Sequence, residues 1–475
     1  MPDALWKLSA GAQAEAVRRG EVSAVDLVDS HLGRIAEVNP RMNAVTQLLA
    51  ERAREAAAAI DRRRAAGEEL GPLAGVPFTV KESTPVEGVA TTFGVPRFRD
   101  LVAAADALPV ARLRAAGAVP IGHSNMPTLI LAGVHSRSEL FGDTVNPWDD
   151  RRTPGGSSGG DGVAVATGMA ALGLGSDAGG SVRLPAQFCG VAALKPSTGR
   201  FPADQRVLSS DDTGPASQML VTDGPLARRV GDLKLAYDVL AGTDPRDPRA
   251  VPVPRYGEPL PAPVRVAVVA DPGGHGVHPS VRAAVERAAE ALRDAGYAVC
   301  DVPDVPRLDE ALDAYGRITL TEFAPAWPAV RTLLGAGGDR YLSFAMERTP
   351  PAGADELMAL MGTWLGIRRS WAEFLDSHPL LLGPVFTEPP FEPGLESRDQ
   401  AGCDRVTSGM RLSTATSFVG VPAVAVPTGV TDGLPTGVQI VGRAFREDLC
   451  LAAAQAIEDR LGVLTPIDPV AAPRS

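Results

Sequence analysis

A single large α/β domain is the fold class predicted for this 475-residue sequence, with a mixed, twisted β-sheet flanked by helices on both faces. Three observations predict it. Short apolar runs of strand type alternate with amphipathic helical stretches, the pattern of an α/β sheet. The 26 residues from Gly155 to Gly180 hold 10 glycines, where about 3 would follow from 50 in 475, so backbone without side chains is required there. Two apolar runs near the C-terminus, 422–430 and 437–442, are separated by turn-forming residues, as a closing hairpin would be.

In chain order, residues 1–67 read as a helical segment packed on the outside of the fold. Leu5, Leu8, Leu27 and Ile35 supply apolar spacing, and an Ala/Arg/Glu-rich stretch from Leu48 to Ala66 is stopped by Gly67. After Gly71-Pro72, Val76 to Val80 reads as a buried strand and Lys81 follows it directly. A helix over Val110 to Ala116 feeds a second strand at Ala118 to Ile121. VRVAVVA at 264–270, a helix over Ser280 to Ala295 and YAVCDV at 297–302 form a strand–helix–strand unit. Residues 303–400 read as helical and Pro-punctuated, with Trp327, Trp364 and Trp371 dispersed among them. PAVAVPTGV and GVQIVG, joined through Thr431-Asp432-Gly433-Leu434-Pro435-Thr436, complete the sheet. No internal repeat or domain boundary is visible.

Composition narrows the function classes. Lys+Arg 46 against Asp+Glu 57 leaves a net charge of −11 with no long basic run, which argues against a nucleic-acid or anionic-membrane surface. Cys189, Cys300, Cys403 and Cys450 are scattered, with no CxxC pair and no His at ligand spacing, so neither a disulfide framework nor a metal site is indicated. The N-terminus lacks a signal-peptide core and no 18 apolar residues run together; the cytoplasm and a small neutral partner are expected.

A serine hydroxyl is a poor nucleophile near neutral pH unless a base lies within hydrogen-bond reach and donors await the developing oxyanion. Three segments could supply these parts. In VPFTVKEST, Lys81 follows an apolar strand, so its ammonium would emerge at the strand's end, where poor solvation favours the neutral amine. Gly155-Gly156-Ser157-Ser158-Gly159-Gly160 and Gly175-Ser176-Asp177-Ala178-Gly179-Gly180-Ser181 each set serine in a glycine turn. Successive N–H groups of Ala178, Gly179, Gly180 and Ser181 could converge as an anion-binding nest.

The segment from Gly155 to Thr198 resembles the signature sequence of the amidase signature family. LAGVPFTVKEST, GHSNMPTLILAGVHSRSELFGDTVNPWD, GPLARRVGDLKLAYDVLAG and the terminal VGVPAVAVPTG with GLPTGVQIVG are similar to that family in the same order. The resemblance implies Ser181 as the nucleophile, Ser157 as a bridging serine after a cis peptide, and neutral Lys81 as the base of the relay. It makes Asp177, Arg183 and Ser158 supporting residues, places the oxyanion hole on the backbone at 178–181, and calls for no cofactor and no metal. Substrate-pocket residues would come from variable loops, here Met126, Leu129 and Phe386, within 126–131 and the variable region 303–400. The substrate class so implied is a small amide, with a carbamate or ester served by the same acyl-enzyme chemistry, and water as second substrate. A homodimer is compatible with the resemblance, although no segment marks an interface. Two departures stand out: Glu82 where Asp is commoner, and His123 where Lys or Arg is usual.

Three rival readings apply. Gly155-Gly156-Ser157-Ser158-Gly159 fits the G-x-S-x-G elbow of α/β-hydrolases, with His275, His278 and His378 downstream, but Asn146 to Pro154 is no strand. Gly173 to Ala178 fits G-x-G-x-x-A, yet Lys195 and Arg200 occupy the region where the ribose-binding acid should fall. The third is a glutamine-amidotransferase of A-subunit type in a tRNA-dependent amidation complex, which shares the signature and works only with partner subunits; it would place a charged clamp for glutamine within 303–400.

Overall fold

A computed structural model describes residues 4–470 except 205 and 207–211. One sheet of eleven strands organises the chain. The strands are β1 (Val45–Leu48), β2 (Pro77–Lys81), β3 (Val119–Ser124), β4 (Leu172–Asp177), β5 (Ala192–Lys195), β6 (Thr222–Ala227), β7 (Arg265–Val268), β8 (Ala298–Asp301), β9 (Leu380–Pro384), β10 (Ala423–Thr431) and β11 (Leu434–Gly442). Their order across the sheet is β1-β3-β2-β4-β6-β5-β10-β11-β9-β7-β8. Pairing is mixed: β3-β2-β4 and β9-β7-β8 are parallel, and the remaining neighbours are antiparallel. A strand run buried on both faces reads as continuous apolar text, and both faces are indeed covered. Phe78, Val80, Leu172, Leu174, Leu380 and Ile440 join one core layer, while Val119, Ile121, Ala193 and Ala425 face a second. Ala267, Leu381 and Val441 face a third layer.

The helices of the N-terminal part are α1 (Ala10–Arg19), α2 (Ala24–Met42), α3 (Ala50–Ala65), α4 (Leu108–Ala115), α5 (Gly159–Ala166) and α6 (Arg183–Cys189). Ser9 and Ser23 cap α1 and α2 by accepting from Ala12 N and Asp26 N. Val76–Val80, Val110–Ala116, Ser280–Ala295 and the first arm of the closing hairpin fall on observed elements shifted by a residue or two; the second strand runs three residues further to Ser124, and the second hairpin arm begins three residues earlier, at Leu434.

Two readings need correction. The N-terminal segment is not wholly helical: Asn43, at φ 48°, ends α2 and Val45–Leu48 forms the edge strand β1. Four residues between two long helices carry too short a period to register as a strand. Likewise the region 303–400 contains β9, where Leu380-Leu381-Leu382 is buried between β11 and β7; a continuous apolar run lacks the alternation that would separate it from helix.

Candidate active site

β2 carries Lys81 at its C-terminal end, inside the sheet rather than just beyond it, and fully buried. Its Nζ donates to Ser157 Oγ at 2.6 Å and to Ser176 Oγ at 2.9 Å, with the Ser176 carbonyl at 3.4 Å. Burial pushes its pKa down to about 8, while the carboxylates of Asp161, Asp177 and Asp223 hold it up. The Gly156–Ser157 peptide is cis. Ser158 N donates to the Ser181 carbonyl at 3.0 Å, which ties the two glycine turns together. Ser181 itself is half-buried, with Ala178 the other partly open position of the turn. Its hydroxyl makes no hydrogen bond among the described residues.

Asp177, expected as a supporting residue, organises the turn. Its Oδ1 accepts from Gly180 N at 2.7 Å, Arg183 Nη2 at 3.0 Å and Ser417 Oγ at 3.1 Å. Its Oδ2 accepts from Val182 N and Arg183 Nε. Burial works to raise this carboxyl, but the adjoining Arg183 guanidinium and these donors hold it well below the usual carboxylate range. Arg183, also fully buried, continues to Gln439 Oε1, the Ser413 carbonyl and Ser417 Oγ, anchoring the turn to the helix Arg411–Val419 and to β11. Gly180 sits at φ 129°, and a Cβ there would collide with Leu184, so only glycine fits.

The nest differs in one respect from expectation. Gly180 N–H is engaged by Asp177, whereas the N–H groups of Ala178, Gly179 and Ser181 have no acceptor among the described residues. Those three are the donors of the turn left unpaired among the described residues.

The expected pocket residues separate. Met126 is buried beside Phe93 and Val95, with Leu129 packed on this small cluster. Leu129 and Ile130 both adopt positive φ, 55° and 68°, which is uncommon for side chains of their bulk. Phe386 lies in the core against Phe188 and Phe391, at centroid distances of 5.3 and 5.8 Å. The side chains over the turn are others: the Tyr315 hydroxyl lies 2.9 Å and Met410 Cε 3.5 Å from where a Cβ on Gly179 would stand. Tyr315 packs edge-on to Phe418, and burial raises its phenol to about 12. Ser176 and Tyr315 are the site residues that sequence reasoning missed. Ser176 precedes Asp177 within the glycine turn, a signal present in the sequence, while Tyr315 had no motif around it.

The two departures from the family pattern meet each other: His123 Nδ1 and Glu82 Oε2 are 3.1 Å apart, and Glu82 also accepts from Thr46 Oγ1, Gln47 Nε2, Thr92 N and Thr92 Oγ1. Among the described residues no histidine bonds Ser157 or Ser181. His275 pairs with Asp309, His278 with Ser280, and His378 stacks on Phe374. The elbow geometry is absent too, since no strand precedes Ser157. Among the described residues no group of three or more His, Cys, Asp or Glu is placed to hold a metal ion, and no helix is long and apolar enough to cross a membrane.

The sequence profile of the Amidase family matches residues 26–451. Indoleacetamide hydrolase of Bradyrhizobium diazoefficiens is 39% identical over 97% of this chain and 88% of its own. The A subunit of glutamyl-tRNA(Gln) amidotransferase from Roseiflexus castenholzii is 33% identical over 96% of each chain. Among solved structures, 6-aminohexanoate cyclic dimer hydrolase complexed with substrate superposes with a TM-score of 0.82, at 30% identity, over 96% of this chain and 97% of that one.

Proposed function

The chain belongs to the amidase signature family, whose enzymes hydrolyse amides, and on that premise we propose that it cleaves the carbon–nitrogen bond of a small carboxamide through an acyl-enzyme on Ser181. The observation that carries the reading is the buried Lys81 Nζ, 2.6 Å from Ser157 Oγ, together with the turn of Ser181, whose N–H groups at Ala178, Gly179 and Ser181 have no acceptor among the described residues. With a pKa of about 8, roughly one Lys81 in ten is neutral at pH 7 and free to take a proton. Lys81 takes the Ser157 proton, Ser157 takes that of Ser181, and Ser181 Oγ bonds to the substrate carbonyl carbon. The oxyanion is met by N–H groups of Ala178, Gly179 and Ser181. The C–N bond breaks as the proton returns along the same path to the leaving amine. Water then attacks the ester, releasing the carboxylic acid and restoring Ser181. Carbamates and esters offer a comparable carbonyl to the same machinery.

Tyr315 and Met410 over Gly179 favour an aryl or short aliphatic acyl group, in keeping with the relative that acts on indoleacetamide. They favour a hydrolase over a component of an amidotransferase, which would need charged groups there for glutamine. The test is ammonia release from indole-3-acetamide, phenylacetamide, hexanamide and glutamine, with Ser181→Ala as control. Turnover of the arylacetamides, abolished in Ser181→Ala, is expected. Turnover of glutamine alone would overturn the substrate assignment.

A further inference from the structure

We propose that Asp161 is a positioning residue that stands behind Lys81, helps hold the proton on its amine, and so sets the acid limit of the enzyme's working pH. This rests on Lys81 being the relay base. Asp161 is the third residue of α5, the helix that starts two residues after the cis serine, and it is fully buried. Its Oδ1 accepts from Thr79 Oγ1 at 2.7 Å. Thr79 lies two residues before Lys81 on β2, so the two side chains leave the strand on one face. Ser124, paired with Lys81 across β2 and β3, shares that face. Opposite Thr79 on β4 stands Gly173, where a Cβ would come within 2.8 Å of Asp161 Cβ; the missing side chain lets the aspartate press against the sheet.

Asp161 Oδ2 and Ser124 Oγ are both buried, and neither has a partner within hydrogen-bond geometry, although the Ser124 hydroxyl is near enough to help lower the Asp161 carboxyl. A buried carboxylate with one oxygen so poorly served must look to a nearby positive charge. The ionisable groups around it leave a single candidate. Lys81 is faced by Asp161 from α5, Asp177 from the end of β4 and Asp223 from β6. Asp177 is committed to Arg183, with Lys195 beyond it. Asp223 feels Arg249 and Asp247 as well as Lys81. His123, the other basic group near Asp161, is bonded to Glu82. Among the described residues Asp161 therefore has Lys81 as its principal cation. In support, burial raises Asp161 to about 6 against the Thr79 and Ser124 hydroxyls and then the pull of Lys81, and Asp161 is the foremost carboxylate opposing the fall of Lys81.

Ionised Asp161 stabilises the Lys81 ammonium, so the isosteric amide would release the amine at lower pH. The experiment measures the rate of labelling by a fluorophosphonate from about pH 6 to about pH 9.5 in the wild type and in Asp161→Asn, Thr79→Val and Lys81→Ala. In Asp161→Asn the acid limb moves down by on the order of one pH unit, about tenfold faster labelling well below the wild-type limb. Thr79→Val, which removes the donor that favours ionised Asp161, moves it the same way by less, and carries the test if the amide variant does not fold. A limb unmoved or moved upward, with Lys81→Ala slow, overturns this inference alone. Wild-type labelling rates in Lys81→Ala overturn the relay reading beneath it.

Discussion

Lys81→Met replaces a buried amine by an apolar side chain of similar length, and the structure sets the magnitude to expect. A fall in pKa from 10.5 to about 8 makes the protonated lysine about 3 kcal/mol worse off in the folded protein than in the unfolded chain. Methionine removes that penalty. It also leaves Ser157 Oγ and Ser176 Oγ without their donor, a loss of about 1–2 kcal/mol. The balance is an inactive variant about 1–2 kcal/mol more stable than the wild type at pH 7. Because the folded pKa lies below the unfolded one, the unfolded chain binds more protons between the two values, and wild-type stability relative to Lys81→Met must rise from about pH 8 to about pH 10.5. Asp161 and Asp223, held down by Lys81, rise above their values of about 6 in the variant and lessen its lead at pH 7; the remaining titrating groups are common to both proteins and cancel in the difference. Urea midpoints at pH 7 and pH 10.5 read this directly. The variant should lead at pH 7 and lose that lead at pH 10.5. A difference that does not change with pH would refute the claim that Lys81 is destabilised by burial.

Asp177→Asn should cost about 3–5 kcal/mol in unfolding free energy and most of the activity, since it leaves the buried Arg183 without its counter-charge and turns an NH2 group toward existing donors; chemical denaturation and amide turnover check it. Gly180→Ala, which forces a Cβ into Leu184 at a backbone angle suited to glycine, should lower kcat strongly and destabilise by about 1–3 kcal/mol. Tyr315→Phe should raise KM for polar acyl groups and leave kcat for phenylacetamide within about threefold, whereas Tyr315→Ala should raise KM for aryl substrates by on the order of tenfold. His378→Ala should leave turnover unchanged, because His378 stacks on Phe374 and among the described residues bonds neither Ser157 nor Ser181.

Much of this arrangement could be read in the amino-acid sequence, for identifiable reasons. Lys81 closes an apolar run, and the glycines around Ser157 and Ser181 are backbone requirements that leave a compositional mark. Longer elements such as Pro279–Asp294 carry enough periods to declare themselves. What escaped was short or long-range. The four residues of β1 and the leucine run of β9 are too brief or too uniformly apolar to show a period. Gly180 N–H belongs to Asp177 rather than to the open nest, a matter of which way one peptide faces. Tyr315 reaches Gly179 only because the helix Leu308–Phe323 folds back over a turn more than 130 positions earlier. Ser417 and Gln439, which complete the cradle of Asp177 and Arg183, lie further still along the chain.

The proposed chemistry turns on Ser181 being the nucleophile, and intact-protein mass spectrometry after fluorophosphonate treatment tests it most directly. Wild type, Ser181→Ala, Ser157→Ala and His378→Ala would be compared. A single adduct is expected in the wild type, absent in Ser181→Ala, slowed in Ser157→Ala and unaffected in His378→Ala. An adduct that persists in Ser181→Ala, vanishes in Ser157→Ala and depends on His378 would overturn the assignment.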